Sequence, residues 1–194
     1  FEAFDKVKNE GGRASCQNDW ATFSIMRKSQ YLTWSKPMLI QYLYDFHREY
    51  GRGHNLIEEK YGRMMESTAP EKYEEIKSYF PELSQDKKDI IEQIVLFQVG
   101  WMERFSEEYP ELAGNARRIH TYEDNSEDTS YETYLRGELG TYSDKMLELY
   151  GRYVVGYARS GKNLTRDIME LSVKMYGYED VEDAERKLEA AWKE

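Results

Sequence analysis

Residues 33–56 read TWSKPMLIQYLYDFHREYGRGHNL, and residues 141–164 read TYSDKMLELYGRYVVGYARSGKNL. Aligned at an offset of 108 positions, the two stretches share eight residues of twenty-four without a gap. Thr33, Ser35, Met38, Leu39, Tyr42, Gly53, Asn55 and Leu56 meet Thr141, Ser143, Met146, Leu147, Tyr150, Gly161, Asn163 and Leu164, and Trp34 meets Tyr142. Each stretch opens on a Ser suited to a helix N-cap and ends on Gly-x-Asn-Leu, a helix stop at the same boundary in both halves. Upstream, Phe23, Met26 and Lys28 meet Tyr131, Tyr134 and Arg136. A repeat of this kind has to be found first, because it determines the fold reading. Two similar three-helix units, roughly 1–67 and 101–176, are expected to pack about a pseudo-two-fold axis, since equivalent faces are self-complementary.

Helix signals continue outward from the repeat, and strand signals are nearly absent. The patterns predict helices over 2–9, 19–33, 36–50, 55–67, 69–79, 85–108, 130–141, 144–159, 163–176 and 180–193. Pro37 falls in the first turn after Ser35, and Ser84 and Ser143 suit N-caps. Thr68–Glu71 and Thr129–Glu132 both fit a capping box. In 85–108, Ile90, Ile91, Ile94, Val95, Phe97, Trp101 and Phe105 recur at three and four, the stripe of a central helix. Residues 110–129 show no periodicity and many charges, so they read as one long loop. The fold expectation is a single all-α domain over 1–194 with about ten helices.

Composition narrows the function classes. The chain has 194 residues and a net charge of -10, and its basic runs are no longer than pairs such as Arg27–Lys28 and Arg117–Arg118. A nucleic-acid partner calls for a basic stripe, and none is written here. No apolar run is long enough to span a membrane. One cysteine excludes an internal disulfide and a multi-Cys metal site. No leader pattern opens the sequence, and a cytoplasmic protein is expected. Seventeen tyrosines imply a core with buried hydrogen bonds, because each ring carries a hydroxyl that needs a partner.

Two polar loops precede the repeated helices. The first holds Arg13, Cys16 and Asp19; the second holds Arg117, Arg118, His120, Glu123 and Asp124. Convergence of the loops at one cleft would gather Cys16, Asp19, His120 and Asp124. Cys16 follows an Arg by three residues and precedes a helix start, and both features favour a thiolate. His120 would then act as base, oriented by Asp124. Glu132 is a candidate for acid–base work, with Glu138 beside it in a tyrosine-rich stretch. Arg13, Arg117 and Arg136, with Asp19 and Glu138, are the candidate ligand-binding set for an anion. Glu132 and Arg136 also stand at i,i+4, which is ordinary helix support. The histidines lack metal-ligand spacing, so no metal site is assigned, and the sequence leaves the cofactor unknown. Glu58-Glu59-Lys60 reads as a solvated face.

Three stretches carry a family resemblance: Thr129 to Leu139, which ends on Tyr134-Leu-Arg-Gly-Glu-Leu139, Arg13 to Trp20, and Met64 to Pro70. Together they resemble an uncharacterised bacterial and archaeal domain-of-unknown-function family of about this length. The resemblance implies one domain and no particular activity. The functional expectation is a polar site between the repeats for a small, anionic, amino-acid-like or organic-acid-like molecule, serving binding or acid–base or thiol chemistry. The alternative is an adaptor that grips a partner protein through a helical face.

Overall fold

A computed structural model describes residues 2–7, 18–125 and 128–191. Among these residues there are eleven α-helices and no strand. They are α1 (Glu2–Asp5), α2 (Trp20–Leu32), α3 (Lys36–Gly51), α4 (Leu56–Thr68), α5 (Pro70–Ile76), α6 (Gln85–Glu108), α7 (Pro110–Gly114), α8 (Tyr131–Gly140), α9 (Asp144–Arg159), α10 (Leu164–Met175) and α11 (Val181–Ala191).

Local chemistry explains most boundaries. Ser84, Ser143 and Asn163 each accept a hydrogen bond from a backbone N–H three residues on, and Asn55 from one two residues on. These bonds satisfy donors that the first turn leaves open. Gly53 and Gly161 take φ of 81° and 69°, which lets the chain reverse into α4 and α10. Two expected capping boxes are corrected. Thr68 ends α4, and Ala69 precedes Pro70 without a side-chain cap. Ser130, not Thr129, caps α8, while Glu132 reaches back to the Thr121 N–H. The segment read as a loop also holds α7 and a 3₁₀ turn at Thr121–Glu123, which Pro110 and local hydrogen bonds nucleate without any long apolar period.

Packing follows a reciprocal pattern. α4 lies on α8, α2 on α10, and α3 on α9, with α6 against α8, α9 and α10. Lys36 and Asp144, which start α3 and α9, are 108 apart, as are Gly51 and Arg159, which end them. The amide of Asn55 donates to the Ala3 carbonyl at 2.8 Å, and that of Asn163 to the Trp101 carbonyl at 2.9 Å. At the centre, Trp34 meets Tyr150 at 5.8 Å and Tyr42 meets Tyr142 at 5.9 Å between ring centroids. These edge contacts add to the burial of the rings.

The core surrounds that aromatic cluster and takes in Ile91, Ile94, Val95, Leu135, Leu139, Met146 and Leu164. The stripe of α6 is narrower than its sequence suggests. Ile90 and Phe97 are exposed, and Gln98 and Met102 fill the buried face. Gln98 serves the tyrosines: its Oε1 accepts from the hydroxyls of Tyr150 and Tyr131 at 3.1 and 3.4 Å. A second cluster joins Phe105, Tyr109 and Leu112 to Val173, Val181 and Ala184, docking α11.

Candidate functional site

Helix α8 separates two sets of charges. Residues four apart share a helix face, so Tyr134 and Glu138 point one way and Glu132 and Arg136 another. The first face meets α2 and α4. There Glu138 accepts from Lys60 Nζ at 2.7 Å, from Arg27 Nη1 at 3.0 Å, from Gln30 Nε2 at 3.3 Å and from the Tyr142 hydroxyl at 3.3 Å. The Lys60 and Glu138 side chains are 3% and 6% exposed, so this ion pair is out of water.

Tyr134 completes the cluster. Its hydroxyl oxygen accepts from Arg27 Nη2 at 2.9 Å. Lys60 Nζ stands 3.3 Å from its ring centroid, and the guanidinium carbon of Arg117 stands 5.1 Å from it. Tyr61 sets an edge against the same ring at 6.5 Å. Close approach of α4 to α8 permits these distances. A methyl group on Gly137 would lie 2.8 Å from Met64 Cγ and 3.0 Å from the Lys60 carbonyl oxygen.

The electrostatics follow from the geometry. Burial opposes ionisation of Glu138, yet Arg27 and Lys60 hold its carboxyl well below the usual carboxylate range. Burial, with Arg27 nearby, lowers the Lys60 ammonium, and Glu138 pulls against that shift. Burial also raises the Tyr134 hydroxyl, but Arg27 and Lys60 outweigh it and the net shift is downward. Among the described residues, Arg27 and Lys60 set two positive charges against the one negative charge of Glu138. Arg117 adds a third from an exposed position.

The expected site residues are dispersed around this cluster. Arg13 and Cys16 lie outside the described residues. Asp19 caps α2 by accepting from the Thr22 N–H at 3.0 Å. Arg117 donates to the Thr129 carbonyl as well as facing Tyr134. His120 stacks on Tyr122 and places Nε2 3.3 Å from Glu103. Asp124 accepts from Ser67 and Thr133 hydroxyls and from the Ser130 N–H, each at 2.6 Å. That bond set ties the 3₁₀ turn to α4 and α8. Glu132 accepts from the Thr121 N–H at 2.8 Å and from Arg136 at 2.8 Å. Arg136 donates to both carboxylate oxygens of Glu92, at 2.7 and 3.0 Å. Of the expected set, Arg117 and Glu138 join the buried cluster; Arg136 lines a separate groove.

That groove has a volume of about 560 Å³ and runs past Arg63, Glu66, Ser67, Lys88, Thr121 and Arg136. Its arginines are held by protein carboxylates: Arg63 by Glu59, and Arg136 by Glu92 and Glu132. Among the described residues, no group of three His, Cys, Asp or Glu side chains is placed to hold a metal ion. Among them, too, no helix is long and apolar enough to cross a membrane.

Residues 1–186 match the family model described as a protein of unknown function, DUF4125. The chain belongs to the DUF4125 family. No curated protein and no solved structure matches it. In this DUF4125 chain the stretch from Tyr134 to Leu139 supplies the core of the cluster, through Tyr134 and Glu138. Sequence reading missed Arg27 and Lys60. Lys60 is corrected from a solvated face to a position 3% exposed. The available signal was its spacing, four residues after Leu56 and four before Met64, on the face that α4 turns toward α8.

Proposed function

We propose that this chain binds a small anionic molecule, of the organic-acid or amino-acid class, beside Arg27, Lys60, Arg117 and Tyr134. The observation that carries the reading is the imbalance of the cluster. Among the described residues, Arg27 and Lys60 share one carboxylate, that of Glu138, and Lys60 and Glu138 are buried. Charges are costly to bury, and a purely structural pair needs no surplus. A carboxylate ligand would supply the missing charge, and paired guanidinium and ammonium donors are suited to hold it.

We also read the molecule as two copies of one three-helix unit. Matched helix ends, the Asn55 and Asn163 ties and the exchanged ring contacts support this. Under the same offset, Arg27, Lys60 and Tyr134 correspond to Leu135, Ile168 and Met26. The apolar counterparts support a role for the charges beyond folding.

The test is a thermal melt of the full chain with pyruvate, citrate, glutamate or inorganic phosphate. A ligand at one hundred times its Kd adds about 2.7 kcal/mol of stability. The expected result is a shift with at least one carboxylate, lost in Lys60→Met. Absence of a shift with all four compounds would sink the reading.

One observation favours a second reading, the partner-binding face. On α3, Leu39, Ile40, Leu43 and Tyr44 are exposed at helical spacing. Replacing Ile40 and Leu43 by Ser should leave the carboxylate-dependent melt unchanged if the two readings describe separate surfaces.

A further inference from the structure

We propose that α2 and α3 together form a seat for an acidic amphipathic helix of a partner protein, which lies there as α6 lies on α8 and α9. The inference rests on the repeat and on the partner-face reading above, and it names the partner's chemistry. Under the offset of 108, α8, α9 and α10 correspond to α2, α3 and α4. α6 packs against all three helices of the second unit. In the first unit, among the described residues, α1 fills the α4 share of that place. Ala3 and Phe4 are buried there, and the Ala3 carbonyl accepts from Asn55 as the Trp101 carbonyl of α6 accepts from Asn163.

The remaining share, on α2 and α3, is apolar and open. Leu147 on α9 is 2% exposed, in the core that Ile91, Ile94 and Val95 of α6 complete, whereas its counterpart Leu39 is 38% exposed. Gly151 lies under α6, and a methyl group added to it would stand 3.6 Å from Ile94 Cδ1. Its counterpart on α3 is Leu43, which is 57% exposed. Ile40 and Tyr44 on α3 and Leu32 on α2 extend the surface. At the places of Ile40 and Tyr44, α9 carries Glu148 and Arg152, an ion pair at 2.6 Å. The outer face of α9 is built for water, and that of α3 for contact.

Charge complementarity sets the sign of the partner. Arg136 on α8 is clamped by both carboxylate oxygens of Glu92 on α6. Its counterpart Lys28 is exposed, and among the described residues no carboxylate pairs with it. Lys28 shares a face of α2 with Leu32, and Lys36 shares a face of α3 with Ile40, each pair at i,i+4. Two ammonium groups therefore border the apolar surface. The seated helix carries a carboxylate at the place of Glu92 and aliphatic residues at those of Ile91 and Val95. Leu43 fills the space that Gly151 leaves to Ile94, so the partner has a small residue such as Ala at that place.

The probe is a labelled synthetic peptide of the α6 sequence, Gln85–Glu108, carrying Ile94→Ala, titrated with the full chain by fluorescence anisotropy. The wild type is expected to bind it, and Leu43→Asp should weaken binding about tenfold or more, as for an interface anchor. Lys28→Glu should weaken it roughly fivefold, the upper end for an exposed ion pair. A peptide that also carries Glu92→Lys should recover that loss on Lys28→Glu. Both side chains are exposed, so the two protein variants should melt as the wild type does. Loss in Leu43→Asp without the charge-swap effect overturns the α6-like placement and leaves the partner face standing. Binding indifferent to both variants is exchange with the resident α6 and overturns the proposal, as does no binding. Sedimentation then decides the parent reading. Self-association of the wild type that is lost in Leu43→Asp keeps the face and makes a second copy its occupant. A monomeric wild type with no Leu43-dependent binding removes the face as well.

Discussion

The seam between α4 and α8 and the seam between α2 and α10 occupy corresponding places in the sequence, and they are filled in opposite ways. In the first, Lys60, Arg27, Glu138 and Tyr134 exchange charged hydrogen bonds. At the offset positions stand Ile168, Leu135, Gln30 and Met26. Leu135 belongs to the buried apolar core, with Ile168 packed against it. Gln30 and Glu138 are each other's counterparts, and they touch, Nε2 to Oε1 at 3.3 Å. The lesson is energetic. The corresponding positions of α2 and α10 carry Met26, Gln30 and Ile168, none of them charged, so the charges at α4 and α8 are an addition to the architecture rather than a condition for it.

The comparison is broken most severely at Glu138. Glu138→Gln removes the one carboxylate that pairs with Arg27 and Lys60 among the described residues. Breaking a buried pair by removing one partner costs about 3–5 kcal/mol. Urea denaturation should show a loss of that order. A loss below about 1 kcal/mol would show that water or a bound anion already balances the cations, contrary to the burial of the pair.

Acid tests the same seam more gradually. The folded pKa of Glu138 lies below its ordinary 4.5, so its stabilisation is complete above that pH and is lost as pH falls toward the folded value. Asp124 and Glu132 are also shifted down; burial opposes the shift, and hydrogen bonds from Ser67 and Thr133 or from Thr121 and Arg136 outweigh it. They act in the same direction. Stability measured by denaturant between pH 6 and 3 should therefore decline (a span set by the ordinary carboxylate pKa, about 4), and the decline should be shallower in Glu138→Gln. Parallel curves for the two proteins would remove Glu138 from the acid response.

The smallest effect sharpens the contrast from outside both seams. Arg136 pairs with Glu92 and Glu132 on the solvent side of α8. Partly exposed pairs contribute about 1 kcal/mol or less. Arg136→Ala should lower the melting temperature slightly and leave any carboxylate-induced shift intact. Loss of that shift would move the binding site to the groove beside Arg136.

Much of the fold is legible in the sequence because its signals are local. Ser84, Ser143, Asn55, Asn163, Gly53 and Gly161 mark ends through bonds and torsions that span a few residues. The Tyr-rich composition also predicts the buried hydrogen bonds, and Gln98 receives two of them. The site is less legible because its partners are distant. Lys60 and Glu138 are 78 residues apart, and Arg27 and Glu138 are 111. Charge spacing within α4 shows that Lys60 shares a face with Met64, but it cannot tell whether water or another helix covers that face. Glu132 and Arg136 stand out by their i,i+4 spacing, and the structure uses them for local support. Asp124 is similarly occupied, by hydroxyls from α4 and α8.

Gly137 acts as a calliper for the cluster. The gap between α4 and α8 is set at a position with no side chain, one residue before Glu138 and three after Tyr134. A larger residue there would be a shim, prising the helices apart and lengthening the reach from Lys60 to both partners together. Tuning of the cluster thus resides in the thickness of the joint, and one inserted methyl group would detune a phenol and a carboxylate without replacing any charged atom.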